Sequence, residues 1–193
     1  MTKFTKLVQS TVARSRQSTP LDKEKLSIEE LQLLKIRDEC YEMVNTSSFF
    51  SGAVAAVPIP GMDIATDVSI LMNLLPKINK KFGLSAEQVE ALDPQLKQMT
   101  LIAITKIGTS LIGKYITREA VVKSVTTAGA KIAATSTAKT GFKFVPFLGP
   151  VLSGGISYAA MRIVGRAHVN DCYQVALEAV SYTHLRAHET LRY

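Results

Sequence analysis

Apolar residues recur at Leu31, Leu34, Ile36, Cys40, Tyr41, Met43 and Val44, close to the 3.6-residue period of a helix. Ahead of them, Ser27-Ile28-Glu29-Glu30 is a capping box, in which a hydroxyl and a carboxylate three residues on satisfy free backbone N–H groups. A first helix is therefore predicted from near Ser27, through the small residues Ser51-Gly52-Ala53, to about Ala56. Val57-Pro58-Ile59-Pro60-Gly61 must break it, because two prolines remove two donors and push the residues before them out of the helical region. A second helix is predicted from Met62 to Phe82. Asp63 and Asp67 lie in its first turns, Lys77, Lys80 and Lys81 in its last, the polarity a helix dipole favours, and Gly83 stands just past its end. Ser85-Ala86-Glu87-Gln88 is a second capping box for a short helix, and Asp93-Pro94 reads as N-cap and first residue of a helix running to about Tyr115. Thr117 to Lys139 is a further helix with a soft spot at Gly129, and a last one is predicted from about Pro150, with Gly154-Gly155 near its start.

No alternation persists over strand-length runs, so the class is all-α: a single helical domain of about five to six helices. Residues 1–22 are polar and basic and read as a flexible arm; residues 23–179 form the helical domain. Two breaks share one pattern, Val57-Pro58-x-x-Gly61, with Pro60 inside it, and Val145-Pro146-x-x-Gly149, with Pro150 after it. Both read as rigid apolar elbows between helices. Val44 to Met62 and Phe144 to Met161 carry no charge and approach the length of a membrane span. Each, however, is a helix end, an elbow and a helix start, whose broken backbone needs partners if it enters lipid. Elbows buried in the core and membrane-inserting hairpins both remain open.

The chain has 193 residues, 23 Lys+Arg against 16 Asp+Glu, and a formal charge of +7. The excess is local: residues 97–166 carry ten basic side chains and one acidic, Glu119. That half is also rich in small apolar residues. Few aromatics and no arginine-rich helix argue against nucleic acid; a basic, apolar mixture suits an anionic membrane surface. Cys40 and Cys172 have no metal or redox spacing and read as reduced, buried thiols. No secretory signal follows the basic N-terminus, and a cytoplasmic protein is expected, placed peripherally or integrally at the inner membrane if the membrane reading holds.

Candidate chemistry is thin. Gly108-Thr109-Ser110-Leu111-Ile112-Gly113-Lys114-Tyr115 nearly matches a phosphate-binding loop, but Tyr115 stands where the Mg²⁺-binding hydroxyl belongs, and the glycines are expected to serve close helix packing. Asp63 and Asp67 share a helical face and form a possible polar site; dipole complementation is the simpler role. If both are buried, Arg162 or Arg166 would have to offset the cost. His168 has no second histidine in the domain with which to build a catalytic set. Lys106, Lys114, Lys123, Lys131 and Lys139 recur every eight or nine residues, so they spiral and form no track. No cofactor, metal, catalytic residue or small-molecule substrate is expected, and the protein is expected not to be an enzyme.

Ala53-Val54-Ala55-Ala56-Val57-Pro58-Ile59-Pro60-Gly61-Met62-Asp63-Ile64-Ala65-Thr66-Asp67-Val68, followed by Lys81-Phe82-Gly83-Leu84, resembles the C-terminal helical domain of the immunity-related GTPases. It is also similar to bacterial EcsC-like proteins and to GTPase-associated helical domains. Phe144 to Pro150 with Gly154-Gly155-Ile156-Ser157-Tyr158 resembles the second elbow of those proteins. The resemblance implies an all-helical module near membranes, sometimes attached to a GTPase. The GTPase signature itself is absent: Asn79-Lys80-Lys81 lacks the aspartate of a guanine-reading motif, and the stretch after Met1 is too short for a nucleotide domain.

Residues 180–190, VSYTHLRAHET, resemble the conceptual translation of a sequencing-library adapter, eleven consecutive matches long, with Leu191-Arg192-Tyr193 as the index. On that reading the native C-terminus is cut near Val180, His184 and His188 belong to no site, and the net charge of the rest is +6. The functional expectation is a non-enzymatic helical module on an anionic membrane surface or membrane protein. The alternative is a soluble domain with buried elbows that binds a protein partner, a GTPase among the candidates.

Overall fold

The computed structural model describes residues 28–55, 62–108, 111–112, 116–137 and 148–190, without the side chains of 62–64, 136–137, 148–153 and 183–190. The chain divides into Met1–Gln32, of which only 28–32 are described, and Leu33–Tyr193, which holds the packing contacts described below. Six helices and no strand occur among the described residues: α1 (Ile28–Ala55), α2 (Met62–Lys81), α3 (Ala86–Glu90), α4 (Pro94–Ile107), α5 (Arg118–Thr137) and α6 (Leu148–Thr190). The fold is all-α.

The caps stand where the sequence placed them. Ser85 Oγ accepts from the Gln88 N–H at 3.3 Å while Gln88 Oε1 accepts from the Ser85 N–H at 3.1 Å, a reciprocal box that starts α3. Asp93 Oδ1 accepts from the N–H groups of Gln95 and Leu96, with Pro94 as the first residue of α4. Gly83 takes φ +73°, its N–H donates to Lys80 O, and the Leu84 N–H donates to Asn79 O at 2.8 Å. This pair of bonds is a Schellman ending and tucks Leu84 into the core beside α2. The Ser27 half of the first capping box lies outside the described residues.

Two expectations change. The helix from Pro94 was expected to reach Tyr115, but α4 ends at Ile107 because Gly108 adopts φ +72° and donates back to Ile104 O and Thr105 O. A Cβ on Gly108 would meet nothing within 4 Å, so this glycine makes a turn and does not serve helix packing. In α1 the buried stripe is Leu33, Cys40, Val44, Ser48, Ser51 and Ala55, and Leu31 is exposed. The stripe has the helical period, but small polar residues take positions that the apolar count passes over.

Helix α6 packs against α2, α4 and α5, and α2 also packs against α5. Its partner on another side is α1. Tyr41 bonds Asn170, Asn45 bonds Arg166, Val44 meets Gly165 and Gly52 meets Tyr158. Numbers rise along one helix as they fall along the other, so α1 and α6 run antiparallel. Gly149 and Pro150 are the second and third residues of α6, where proline's missing N–H is not needed by the helix. The helix continues through Thr190. Within the adapter-like stretch Val180 packs on the edge of the core and Tyr182 is half-buried; Leu185 lies outside the described side chains.

The α1–α6 crossing leaves no room at Gly165. A Cβ there would stand 2.7 and 2.9 Å from the Val44 methyls, and Val44 is a fully buried, rotamer-restricted side chain. Gly165→Ala gains up to ~1 kcal/mol of helix preference, against an overpacking cost of about 1–3 kcal/mol. Urea unfolding should therefore show the variant destabilised. Adding Val44→Ala should recover part of the loss, and strictly additive effects of the two changes would disprove the steric account.

Candidate functional site

The proposed elbow residues are only partly visible. Val57, Pro58, Pro60, Gly61, Val145 and Pro146 lie outside the described residues, while Gly149 and Pro150 open α6. Asp63 and Asp67 sit one turn apart on α2, as the spacing implies; the Asp63 side chain is outside the described set. Asp67 is 3% exposed and accepts a short hydrogen bond from Ser51 Oγ of α1. The cations suggested for it bond elsewhere: Arg162 Nη1 donates to Tyr158 Oη at 2.9 Å and Arg166 Nη2 to Asn45 Oδ1 at 3.1 Å.

The structure assembles a polar junction that the sequence reading did not find. Asn79 of α2 donates to Leu111 O at 3.2 Å and accepts from Cys172 Sγ at 3.2 Å; Cys172 faces His168 Nε2 at 3.6 Å. Cys172 and His168 stand one turn apart on α6, and all three side chains are buried. A Cys–His–Asn set is the composition of a nucleophilic site, but such a site needs a thiolate beside an imidazolium. Here burial, with the Asp171 charge adding to it, pushes the Cys172 thiol well above its ordinary range. Burial pulls His168 down to about 4, with the Leu75 backbone acting in the opposite direction; His168 Nδ1 makes no well-formed hydrogen bond. Both groups are held neutral, so the junction ties α2, α6 and the segment after α4 together. Cys40 is likewise buried and reduced, pushed up to about 11 by burial.

Half-buried along the α1–α6 pair lie Arg37, Tyr41, Asn45, Arg166 and Asn170, beside the buried Tyr173. Arg37 stands over the rings of Tyr173 and Tyr41 at 5.1 and 5.8 Å, and Arg166 over Tyr41 at 5.3 Å. Tyr41 Oη donates to Asn170 Oδ1. Further along α1, Phe49 and Phe50 are 73% and 61% exposed. Between α1 and α2 runs an open groove of about 570 Å³ with Met43, Ile70 and Leu74 on its floor and Glu42, Asn73 and Lys77 at its rim. Of the near-phosphate-loop segment, Leu111 and Ile112 are buried and Gly108 is a helix cap, while residues 109–110 and 113–115 lie outside the described set. Lys106 is exposed on α4, and Lys123 and Lys131 are exposed on α5. No cluster of three metal-binding side chains occurs among the described residues.

Two curated proteins are similar to this chain. It is 25% identical over 148 residues to interferon-inducible GTPase 5 of Rattus norvegicus and 26% identical over 148 residues to the protein of that name from Bos taurus. The alignments cover 76% of this chain and 30% of each relative, so the chain spans under a third of their length. No family model and no solved structure matches. The chain thus has a distant likeness to a region of GTPase-related proteins.

Neutral, buried His168 has a thermodynamic consequence. Its folded pKa lies below the ordinary 6.5, so between pH 6.5 and about 4 the unfolded chain binds a proton that the folded chain refuses. The stability associated with this group is whole above pH 6.5 and falls as the pH drops towards 4, by up to ~3 kcal/mol. Urea midpoints across that window should fall more steeply for the wild type than for His168→Gln; parallel curves would contradict it.

Proposed function

We propose that the protein is a non-enzymatic helical module of the GTPase-associated, EcsC-like kind that docks peripherally on an anionic membrane surface. The supporting observation is the exposed pair Phe49 and Phe50 within an uncharged stretch of α1. Arg162 and Arg166 of α6 run alongside that stretch, through the contacts of Tyr158 with Gly52 and of Arg166 with Asn45. Aromatic side chains sit well at a lipid interface and cations draw anionic headgroups to it. No described helix is long and apolar enough to cross a membrane, which favours peripheral docking over a helical span.

A second reading is a protein-interaction module, for which a GTPase is a suitable partner. The groove between α1 and α2 supports it: an apolar floor with one cation and one anion at the rim fits an amphipathic helix. In both readings residues 180–193 are adapter read-through, and amplifying the gene from its source should give a different sequence after Ala179.

Sedimentation with vesicles separates the two readings. The full chain should pellet with vesicles containing anionic lipid and stay in the supernatant with neutral ones. Phe49→Ser/Phe50→Ser should weaken the association about tenfold or more, from the loss of two buried aromatic anchors. Equal pelleting of the variant and the wild type, or none by either, would sink the membrane reading.

A further inference from the structure

The groove between α1 and α2 carries matched groups on its two walls. Ser51 of α1 bonds Asp67 of α2, and Glu39 bonds Lys81, so the two helices run antiparallel. That register sets Glu42 of α1 across from Lys77 of α2, and both line the groove. One turn along, Glu39 and Lys81 close on each other at 2.6 Å. Glu42 and Lys77, by contrast, are exposed and make no ion pair among the described residues. Between these walls lie Met43 and Ile70, half-buried, and Leu74, buried. An apolar floor with an acid on one wall and a base on the other is complementary to itself. A second copy of the same face, turned over about an axis along the groove, brings its Glu42 to Lys77 and its Lys77 to Glu42. This is the reciprocity that a two-fold interface requires. The same turn lays α1 of each copy antiparallel to α2 of the other, so that four helices enclose the two floors as in a four-helix bundle.

We infer that two copies of this chain pair face to face through the α1–α2 groove, with reciprocal Glu42–Lys77 contacts at its walls. Symmetry makes each contact occur twice, and opposed charges of this kind fix the register of an interface more than they add to its strength. The apolar floor supplies the area removed from water. The inference goes beyond both functional readings, since it names this chain, and neither a lipid surface nor a GTPase, as what covers the groove.

The test is equilibrium ultracentrifugation of the full chain across a wide range of concentration. The mass should rise from that of one chain to that of two. Glu42→Lys and Lys77→Glu should each weaken the pairing about tenfold or more, because each places like charges opposite one another. An equimolar mixture of these two variants should pair as tightly as the wild type, since every charge then faces its opposite. Lys106→Gln, on α4, should change nothing. A wild type that stays a single chain overturns the inference and leaves both functional readings as they stand. Pairing that survives either charge reversal overturns it too, as does a mixture no tighter than its separate components. If a reversal does not fold, Thr46→Arg, at another exposed position lining the groove, takes its place: it should abolish pairing, and unchanged pairing overturns the inference.

Discussion

The close antiparallel approach of α1 to α6 is the constraint on which the described surface depends. It exists because Gly165 and Gly52 present no side chain: Val44 fills the space over one, and Gly154 O and Tyr158 crowd the other. Small residues at both crossings let two helix backbones approach in a way that a pair of leucines would prevent. With the axes so close, Tyr41 reaches Asn170 and Asn45 reaches Arg166. The same geometry sets Phe49 and Phe50 on a helix whose inner face is already occupied, and so they are left exposed.

Below that crossing the core is not purely apolar. Asn79, Cys172 and His168 are buried together, and Ser51 and Asp67 are buried together where α1 meets α2. Buried polar groups are tolerable when partnered and costly when not. Their directional bonds select one register between helices that apolar contacts alone would allow to slide. Asn79 does this twice, accepting from α6 and donating to the carbonyl of Leu111 beyond the end of α4. The surface pairs Lys81–Glu39 at 2.6 Å and Lys106–Glu178 at 2.8 Å link the same helices, but exposed pairs of this kind contribute little.

Two different chemistries therefore lie on one pair of helices: apolar aromatic exposure towards one end of α1 and guanidinium groups stacked on Tyr41 nearer its middle. The likeness to interferon-inducible GTPase 5 covers 30% of those proteins and is a distant similarity of sequence.

Periodicity, capping boxes and turn glycines were enough to predict an all-helical chain, the starts of α3 and α4 and the end of α2, because these signals act within a few residues of where they are written. Gly108 shows the limit of that reach. Its neighbours look helical as far as Tyr115, and whether a glycine packs or turns depends on what surrounds it. The paired Asp63 and Asp67 were legible as a shared face, but Ser51 as the partner of Asp67 was not, since sixteen residues and a helix break separate them. Likewise Asn79 appeared only as a fragment of a failed nucleotide motif; its partner Cys172 is 93 positions away. Arg37 and Arg166 drew no notice as a pair because in sequence they are remote and ordinary. Only the tertiary approach of α1 to α6 sets both of them against the Tyr41 ring. Local chemistry determined the elements; long-range packing alone decided which polar side chains would meet.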